Sequence, residues 1–545
     1  ISKISFQFMN EYDPLLQVSS MSDNLFKYEI VDILKHNYIY KNYEEANKII
    51  QSKLKKYFMI KTLTLIGSQK FKGSLDKIDK LYGTKFSYEE TNHNIFVPNK
   101  EIKFQLPVEN IFIPNSTQII NSSKLNKIYN EKNFEIWHNG TNKFKMPRVL
   151  INIIANNNKI KKSIKNYMSF LLFSKCFKYK SSVTLYYSNV ASSYFDFTVN
   201  KEYDVKLSIN SYSDTVDNVV STFINLLKNF DITDKEFKNI FREFKNNLKN
   251  NLLNPPYVQG GEYLEEKSNR KYFTIYEMLD NIDQVDINTV MSAKKWLFEK
   301  CSITSYVYGN INSSNAINLM SNFKIFVDKN YQHIKNKNVI LLNNGDEEIY
   351  IKKIKNKNEN DSFINIFFEI DRIIPNETKH WDKKIAKIYL THLILEEKFF
   401  NKLRSTEQTG YIVQSGVTTL GSISEFVFGT LFMIQSSKFN PVQLKDKIKK
   451  FIEDSIEFIT NLNDDIFEEY KKSLINQYNI PKYNIYEEFY DNWSHIAGGD
   501  YQFNMNELLV NAINKIDTND IVKFYHKYFL NKKTRKIRIV ELFKH

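Results

Sequence analysis

Nine histidines stand at positions 36, 93, 138, 333, 380, 392, 495, 526 and 545, and no two are four residues apart. A zinc hydrolase of the HExxH or HxxEH kind needs two such histidines on one helical face, with a glutamate beside one of them as general base. The nearest approach is Thr391-His392-Leu393-Ile394-Leu395-Glu396-Glu397, where Glu396 occupies the place of the second histidine. It reads as a helix-face histidine beside solvated acids. Cys176 and Cys301 are the only cysteines. A disulfide framework and a cysteine zinc cluster are thereby excluded, and the apolar or helix-end surroundings of both suggest core thiols. GxGxxG, GxxxxGK[ST] and GxSxG are absent. The pairs Gly260-Gly261 and Gly498-Gly499 read as turns.

One segment carries more: Phe400-Asn401-Lys402-Leu403-Arg404-Ser405-Thr406-Glu407-Gln408-Thr409-Gly410-Tyr411-Ile412-Val413. A helix is predicted to end near Leu403 and a strand to start at Gly410, so Arg404 and Tyr411 flank a short turn. The ordinary reading is an arginine favoured by the helix dipole and a half-buried strand aromatic. The functional reading puts guanidinium and phenol together, as donors to a peptide carbonyl or a developing oxyanion. The residues by themselves leave both open.

The elements that position this segment belong to an internal repeat. Glu44 to Ile66, Val285 to Ile311 and Ile516 to Phe543 each read as a helix followed by a strand. Asp286 matches Asp517 and Phe298 matches Phe529, both at a spacing of 231. Upstream, Ile151-Asn152-Ile153 matches Ile364-Asn365-Ile366 at 213. Each of these is a buried strand by pattern, followed by a long helix, about Lys162 to Phe177 and about Asp382 to Leu403. Strands are predicted at Val183 to Tyr187, Tyr194 to Val199 and Val205 to Ile209, and in the second unit at Gly410 to Ser415 and Phe426 to Gln435. Helical periodicity then recurs at Val219, Val220, Phe223, Ile224 and Leu227, and at Ile448, Phe451, Ile452, Ile456 and Ile459. Thr233 to Glu236 has capping-box form, and behind it Phe237, Ile240, Phe241, Phe244 and Leu248 share a face. Their counterparts are Phe467, Tyr470, Leu474 and Tyr478. The spacing shifts from 213 to 230, which places an insertion in the second unit before these helices.

The fold class expected is α+β, in tandem homologous domains, each an antiparallel-rich sheet covered on one face by helices. Two units are complete, and the opening residues carry only the end of a third. A domain lacking most of its sheet cannot bury a core, so the chain is expected to be the C-terminal part of a longer protein. The domains expected are 1–72, the end of a truncated unit; 73–124, a connector kept extended by prolines 98, 107 and 114; 125–330; and 333–545. A polar stretch, Asn312 to Asn338, joins the complete units, and Lys353 to Asp361 is a charged loop.

The 545 residues are 42% hydrophobic and 15% aromatic, which supplies several cores and excludes disorder as the main state. No apolar run reaches the ~18 residues of a membrane helix. The net charge of +14 is compatible with polyanions or acidic peptides. Lysines are scattered without a basic run, so no nucleic-acid partner is expected. The low cysteine count and lack of a visible signal peptide lean toward a soluble, cytoplasmic setting.

The segment closely resembles the pattern LR-x-x-E-Q-x-G-Y-x-V of insulinase-type (pitrilysin-like) zinc metallopeptidases, through Leu403, Arg404, Glu407, Gln408, Gly410, Tyr411 and Val413. The resemblance continues along the chain. Leu106-Pro107 with Asn110, Phe112, Ile113 and Pro114 resembles the run that opens the family's C-terminal half. Tyr82-Gly83-Thr84 resembles its connector. Trp493, Tyr501-Gln502-Phe503 and Asp520 to Tyr525 resemble its closing helices.

The resemblance implies half of a clamshell of four homologous domains, with the third domain starting near residue 91. It implies a metalloendopeptidase that degrades peptides in a closed chamber. Zinc and general base would lie in an HxxEH motif on the absent N-terminal half, so this fragment alone is expected to hold no metal and to be inactive. That half and peptide substrates are the partners implied. Arg404 and Tyr411 would contact the scissile peptide and the tetrahedral intermediate, and Phe400 would line the same pocket. The alternative is a non-catalytic relative acting as a scaffold or binding protein, which would need neither Arg404 nor Tyr411.

Overall fold

The computed structural model describes residues 2–9, 13–30, 33, 43–58, 67, 73–81, 83–88, 108–120, 123–299, 301–332, 339–373, 378–422 and 425–545. One compact unit comprises Ser2–Gln7 and Ser19–Asn110; the other comprises Phe8–Val18 and Ile111–His545. Early elements are the helices α1 (Ser2–Gln7), α2 (Pro14–Leu25) and α3 (Tyr43–Phe58), and a hairpin of β1 (Lys77–Ile78) and β2 (Lys85–Phe86). The strand expected after α3 up to Ile66, Asn92-His93-Asn94, Pro98, Leu106-Pro107 and Tyr82 lie outside the described residues.

The larger unit holds two sheets. The first runs β3 (Asn126–Glu131), β4 (Phe134–Gly140), β5 (Arg148–Asn156), α4 (Ile164–Lys180), α5 (Ser182–Val190), β6 (Tyr194–Val199), β7 (Val205–Tyr212), α6 (Val216–Lys228), α7 (Asp234–Asn251), α8 (Pro256–Ser268), α9 (Ile275–Asn281), α10 (Ile287–Glu299), β8 (Ser302–Gly309) and α11 (Ser313–Ser321). Its strand order is β3-β4-β8-β5-β7-β6, antiparallel except for β4 with β8. The second runs β9 (Glu347–Lys353), β10 (Ser362–Arg372), α12 (Trp381–Phe399), a π-helical turn at Phe400–Thr406, β11 (Ile412–Ser422), β12 (Glu425–Ser436), α13 (Pro441–Thr460), α14 (Asp464–Tyr478), α15 (Ile485–Gly498), α16 (Met505–Asn514), α17 (Thr518–Tyr525), a second π-helical turn at His526–Leu530 and β13 (Lys536–Phe543). Its order is β11-β12-β10-β13-β9, antiparallel except for β9 with β13.

The repeat has a physical basis at each matched position. Asp286 and Asp517 accept the N–H of the third residue beyond them, Thr289 (2.9 Å) and Asp520 (2.7 Å), opening α10 and α17. Phe298 packs on Phe326 and Phe529 on Phe368, with centroids 4.7 and 4.9 Å apart. The added residues are spread over the second unit: β11 and β12 have 11 and 12 residues against 6 and 8 in β6 and β7, and α13 has 20 against 13 in α6. The capping box at Thr233 and Glu236 forms as its spacing requires.

Helices cover one face of each sheet, as expected. Ile151 and Ile153 join the first core with α4, α6 and α7; Ile364, Ile366 and Phe368 join the second with α12 and α13. The opposite faces are also buried, each by one helix of the other repeat. Ile485, Phe489, Trp493 and Ile496 of α15 pack on Trp137, Leu150, Tyr306 and Tyr308 of the first sheet. Leu264 of α8 packs with Phe363, Phe367, Val540 and Leu542 of the second. The matched asparagines serve this exchange. Asn365 Nδ2 donates to the Gly260 carbonyl at 3.2 Å. Asn152 lies beside Trp493 of α15; turning its amide lets its nitrogen donate to Ser208 Oγ at 2.7 Å and its oxygen accept from Trp493 Nε1 at 3.3 Å.

Four expectations need correction. Val183 to Tyr187 is helical, within α5: it bonds locally (Leu185 N–H to Ser181 carbonyl, 2.8 Å) and pairs with no strand, so β propensity is overridden. Asn312 to Asn338 is no mere polar connector, because Ala316, Leu319, Met320, Phe323 and Phe326 enter the first core. The stretch from Lys353 does enter a core: Lys353 ends strand β9, and Ile354 is buried in the cluster under α8.

Gly260-Gly261 is not a turn but the middle of α8. A Cβ at Gly260 would lie 2.1 Å from the Phe363 ring, whereas one at Gly261 would meet nothing within 4 Å. Glycine here serves close helix–sheet approach. Gly260→Ala is expected to destabilise by about 1–3 kcal/mol through overpacking, despite the better helix propensity of alanine. Gly261→Ala is expected to be neutral or to stabilise by up to about 1 kcal/mol. Urea unfolding of the two variants checks the opposite signs.

Candidate functional site

The segment Phe400–Val413 begins where α12 passes into its π-helical turn. Helix therefore extends to Thr406, past Leu403, and β11 starts at Ile412 rather than at Gly410. Leu403 and Val413 are buried in the second core and anchor both ends. Between them the chain is held by its own backbone. The N–H and hydroxyl of Thr409 both donate to the Leu403 carbonyl, at 2.9 and 3.0 Å. The Glu407 N–H donates to the Lys402 carbonyl at 2.9 Å, and its carboxylate pairs with Lys447 at 2.6 Å. Gln408 is left-handed, with φ at 48°. A Cβ at Gly410 would lie 2.0 Å from the Gln435 carbonyl oxygen, so only glycine lets the turn approach β12.

Phe400, Arg404 and Tyr411 are the large side chains of the segment that this scaffold does not use. Phe400 is 47% exposed and Tyr411 84% exposed. The Arg404 Cζ stands 5.3 Å from the centre of the Tyr411 ring, a cation–π distance. All three line a hollow of about 520 Å³ with Gln408, Ser436 and Lys438. The functional reading of the segment required this juxtaposition, which the turn provides across seven residues of sequence. π-helical turns recur at functional sites, but the one at His526–Leu530 packs its aromatics into the core, so the turn alone does not mark a site.

Sequence reasoning missed the far wall. Ser436 ends β12 and Ser437 and Lys438 follow it; they reach the hollow because Ile412 pairs with Gln435. Only the hairpin register brings them beside Tyr411. A second hollow of about 600 Å³ lies on the other side of Phe400, lined by Glu396, Glu397, Glu469 and Tyr470. His392 Nδ1 stands 4.0 Å from Glu396 Oε2. Burial pushes the His392 imidazole below its ordinary range, and the Glu396 charge pulls it partly back. Glu396 itself is largely solvated, as expected for a helix-face pair. Both cysteines are buried thiols, pushed up to about 12 by burial, which makes them poor nucleophiles.

Among the described residues, no helix is long and apolar enough to cross a membrane. The family model described as the middle or third domain of peptidase M16 matches residues 6–281. The model of domain 4 of the C-terminal lobe of PQQ synthase PqqF-like proteins matches residues 389–493. The chain is 22% identical to a nardilysin-like protein of Arabidopsis thaliana, over 97% of this chain and 52% of that one. It is also 22% identical to the insulin-degrading enzyme of Homo sapiens, over 96% and 51%. The crystal structure of pitrilysin superposes with a TM-score of 0.77 at 17% identity, covering 99% of this chain and 57% of that one. The chain spans about half the length of the curated relatives it matches. With a family model matched over half of its length and the fold of pitrilysin along nearly all of it, the chain belongs to the peptidase M16, or insulinase-like, family.

Proposed function

We propose that the chain is the substrate-binding, C-terminal half of an insulinase-like zinc metalloendopeptidase. Arg404 and Tyr411 then face the scissile peptide, and Phe400 lines the pocket for a neighbouring side chain. The guanidinium offers several N–H donors in a fixed plane, and the phenol adds an O–H. Placed around one carbonyl oxygen, they favour the oxyanion that forms when the carbonyl becomes tetrahedral. The observation that carries this reading is the Arg404–Tyr411 pair, held over an open hollow by a turn that Leu403, Glu407, Thr409 and Gly410 fix in place.

The hollow's donors are a guanidinium, a phenol, hydroxyls, an amide and an ammonium, which do not fit a zinc ion. Among the described residues no three His, Cys, Asp or Glu converge on a metal position. Zinc and the general base are assigned to the complementary half, and the two halves to one peptide-degrading chamber.

The test is zinc content and peptide hydrolysis, measured on this chain alone and after mixing with its complementary half. Activity only on mixing, with zinc carried by the partner half, is the expected result. Stoichiometric zinc or chelator-sensitive cleavage by this chain alone would overturn the division of labour. Silence in both samples would favour the scaffold alternative.

A further inference from the structure

The cations near the segment divide into two groups. Lys402 pairs with Asp454 (2.8 Å), Lys447 with Glu407 (2.6 Å), Lys445 with Glu541 (2.6 Å) and Lys449 with Glu347 (2.6 Å). Arg404 and Lys438 have no carboxylate partner among the described residues, and both line the same hollow. Its remaining walls are hydroxyl, amide, glycine and aromatic groups, with no acid. Lys544 adds positive charge at the rim, where its Nζ donates to the Ser437 carbonyl at 2.9 Å. Two unpaired cations across a cavity this size hold a receptor for a single carboxylate with room for the chain that bears it. The hollow beyond Phe400 is acidic and repels the same group, so the register of a bound peptide is fixed by charge.

We propose that the Arg404–Lys438 hollow is a carboxylate subsite, in which Lys438 selects peptides carrying an acidic group beside the bond held at Arg404 and Tyr411. The inference rests on the function proposed above and adds the substrate class. Arg404 serves the peptide carbonyl; Lys438 is a specificity residue that touches only the neighbouring group. The carboxylate comes from an Asp or Glu side chain or from a free peptide C-terminus, which offer the same chemistry.

The experiment is equilibrium binding of labelled peptides to the full chain, by fluorescence anisotropy at low and moderate salt. One pair, blocked at both ends, differs only by Glu or Gln at one internal position. A second pair carries Gln and differs by a free or an amidated C-terminus. The Glu peptide is expected to bind about 3- to 10-fold more tightly than the Gln peptide, the range for a partly exposed charge-assisted contact. That ratio is expected to fall to about one in Lys438→Met and to invert in Lys438→Glu. A preference for the free C-terminus alone would make the terminal carboxylate the ligand. If all peptides bind alike, or if the Glu preference survives in Lys438→Met, the subsite is refuted while the peptide-binding function stands. If no peptide binds at all, that function fails, and the subsite with it.

Discussion

Replacing Arg404 by alanine is expected to lower kcat/KM of the assembled peptidase by about 10- to 1,000-fold, the scale of losing one oxyanion donor. Zinc content and the stability of this chain are expected to stay unchanged. The separation follows from the geometry. The Arg404 guanidinium stacks toward the exposed Tyr411 ring and lines the hollow, whereas Leu403, Thr409 and Gly410 hold the turn. Removing the side chain therefore takes away a donor and leaves the scaffold. Arg404→Lys is expected to recover only part of the rate, because an ammonium keeps the charge but not the planar fork. Steady-state kinetics with both halves present, read beside thermal unfolding of the variant, gives both quantities. A normal rate would remove Arg404 from the reaction, and a loss of rate matched by a loss of fold would make its role structural.

The largest effect on stability is expected at Arg538→Met. Arg538 lies on β13 and is wholly buried. Its guanidinium donates to Glu369 (3.3 Å), Glu348 (3.2 Å), the Tyr350 hydroxyl (3.2 Å) and the Ile340 carbonyl. Glu369, on β10 and equally buried, also receives Lys536 (3.1 Å) and the Leu342 N–H (3.1 Å). The cluster ties β9, β10 and β13 together on the face that α8 covers. Breaking one side of a buried ion pair costs about 3–5 kcal/mol, mostly because the remaining charge stays desolvated. Glu369 keeps Lys536, so the lower end, about 3 kcal/mol, is expected. Combining Arg538→Met with Glu369→Leu is expected to cost less than the sum of the two single variants, since the double variant leaves no buried carboxylate behind and strands only Lys536. Urea unfolding of both single variants and the double one decides this; a double variant at least as damaged as the sum of its parts would contradict it.

The repeat was legible because its signals are local. Capping aspartates at 286 and 517, the apolar faces of α7 and α13, and the buried strands around Asn152 and Asn365 all follow from the spacing of side chains along one element. The turn at Arg404 was legible as a helix end followed by a glycine and a strand, although the constraint on Gly410 itself is the Gln435 carbonyl, 25 residues away. Val183 to Tyr187 misled because β-branched and aromatic residues describe a half-buried surface rather than a strand. Gly260-Gly261 misled because its cause, the Phe363 ring, is about a hundred residues away.

By itself, then, the sequence determined the tandem α+β architecture, the family resemblance and the pair Arg404 and Tyr411. The architecture and the turn rest on short-range periodicity, capping and turn chemistry; the resemblance rests on matched motif residues such as Leu403, Arg404, Gln408, Gly410 and Tyr411. The tertiary structure alone decided that each sheet's second face is closed by a helix of the other repeat, that Lys438 completes the hollow, and that Arg538 and Glu369 meet in the interior. Each of these depends on strand register or helix docking between segments far apart in the chain, where the contact energy lies in the fit of two surfaces and leaves no pattern in either one alone.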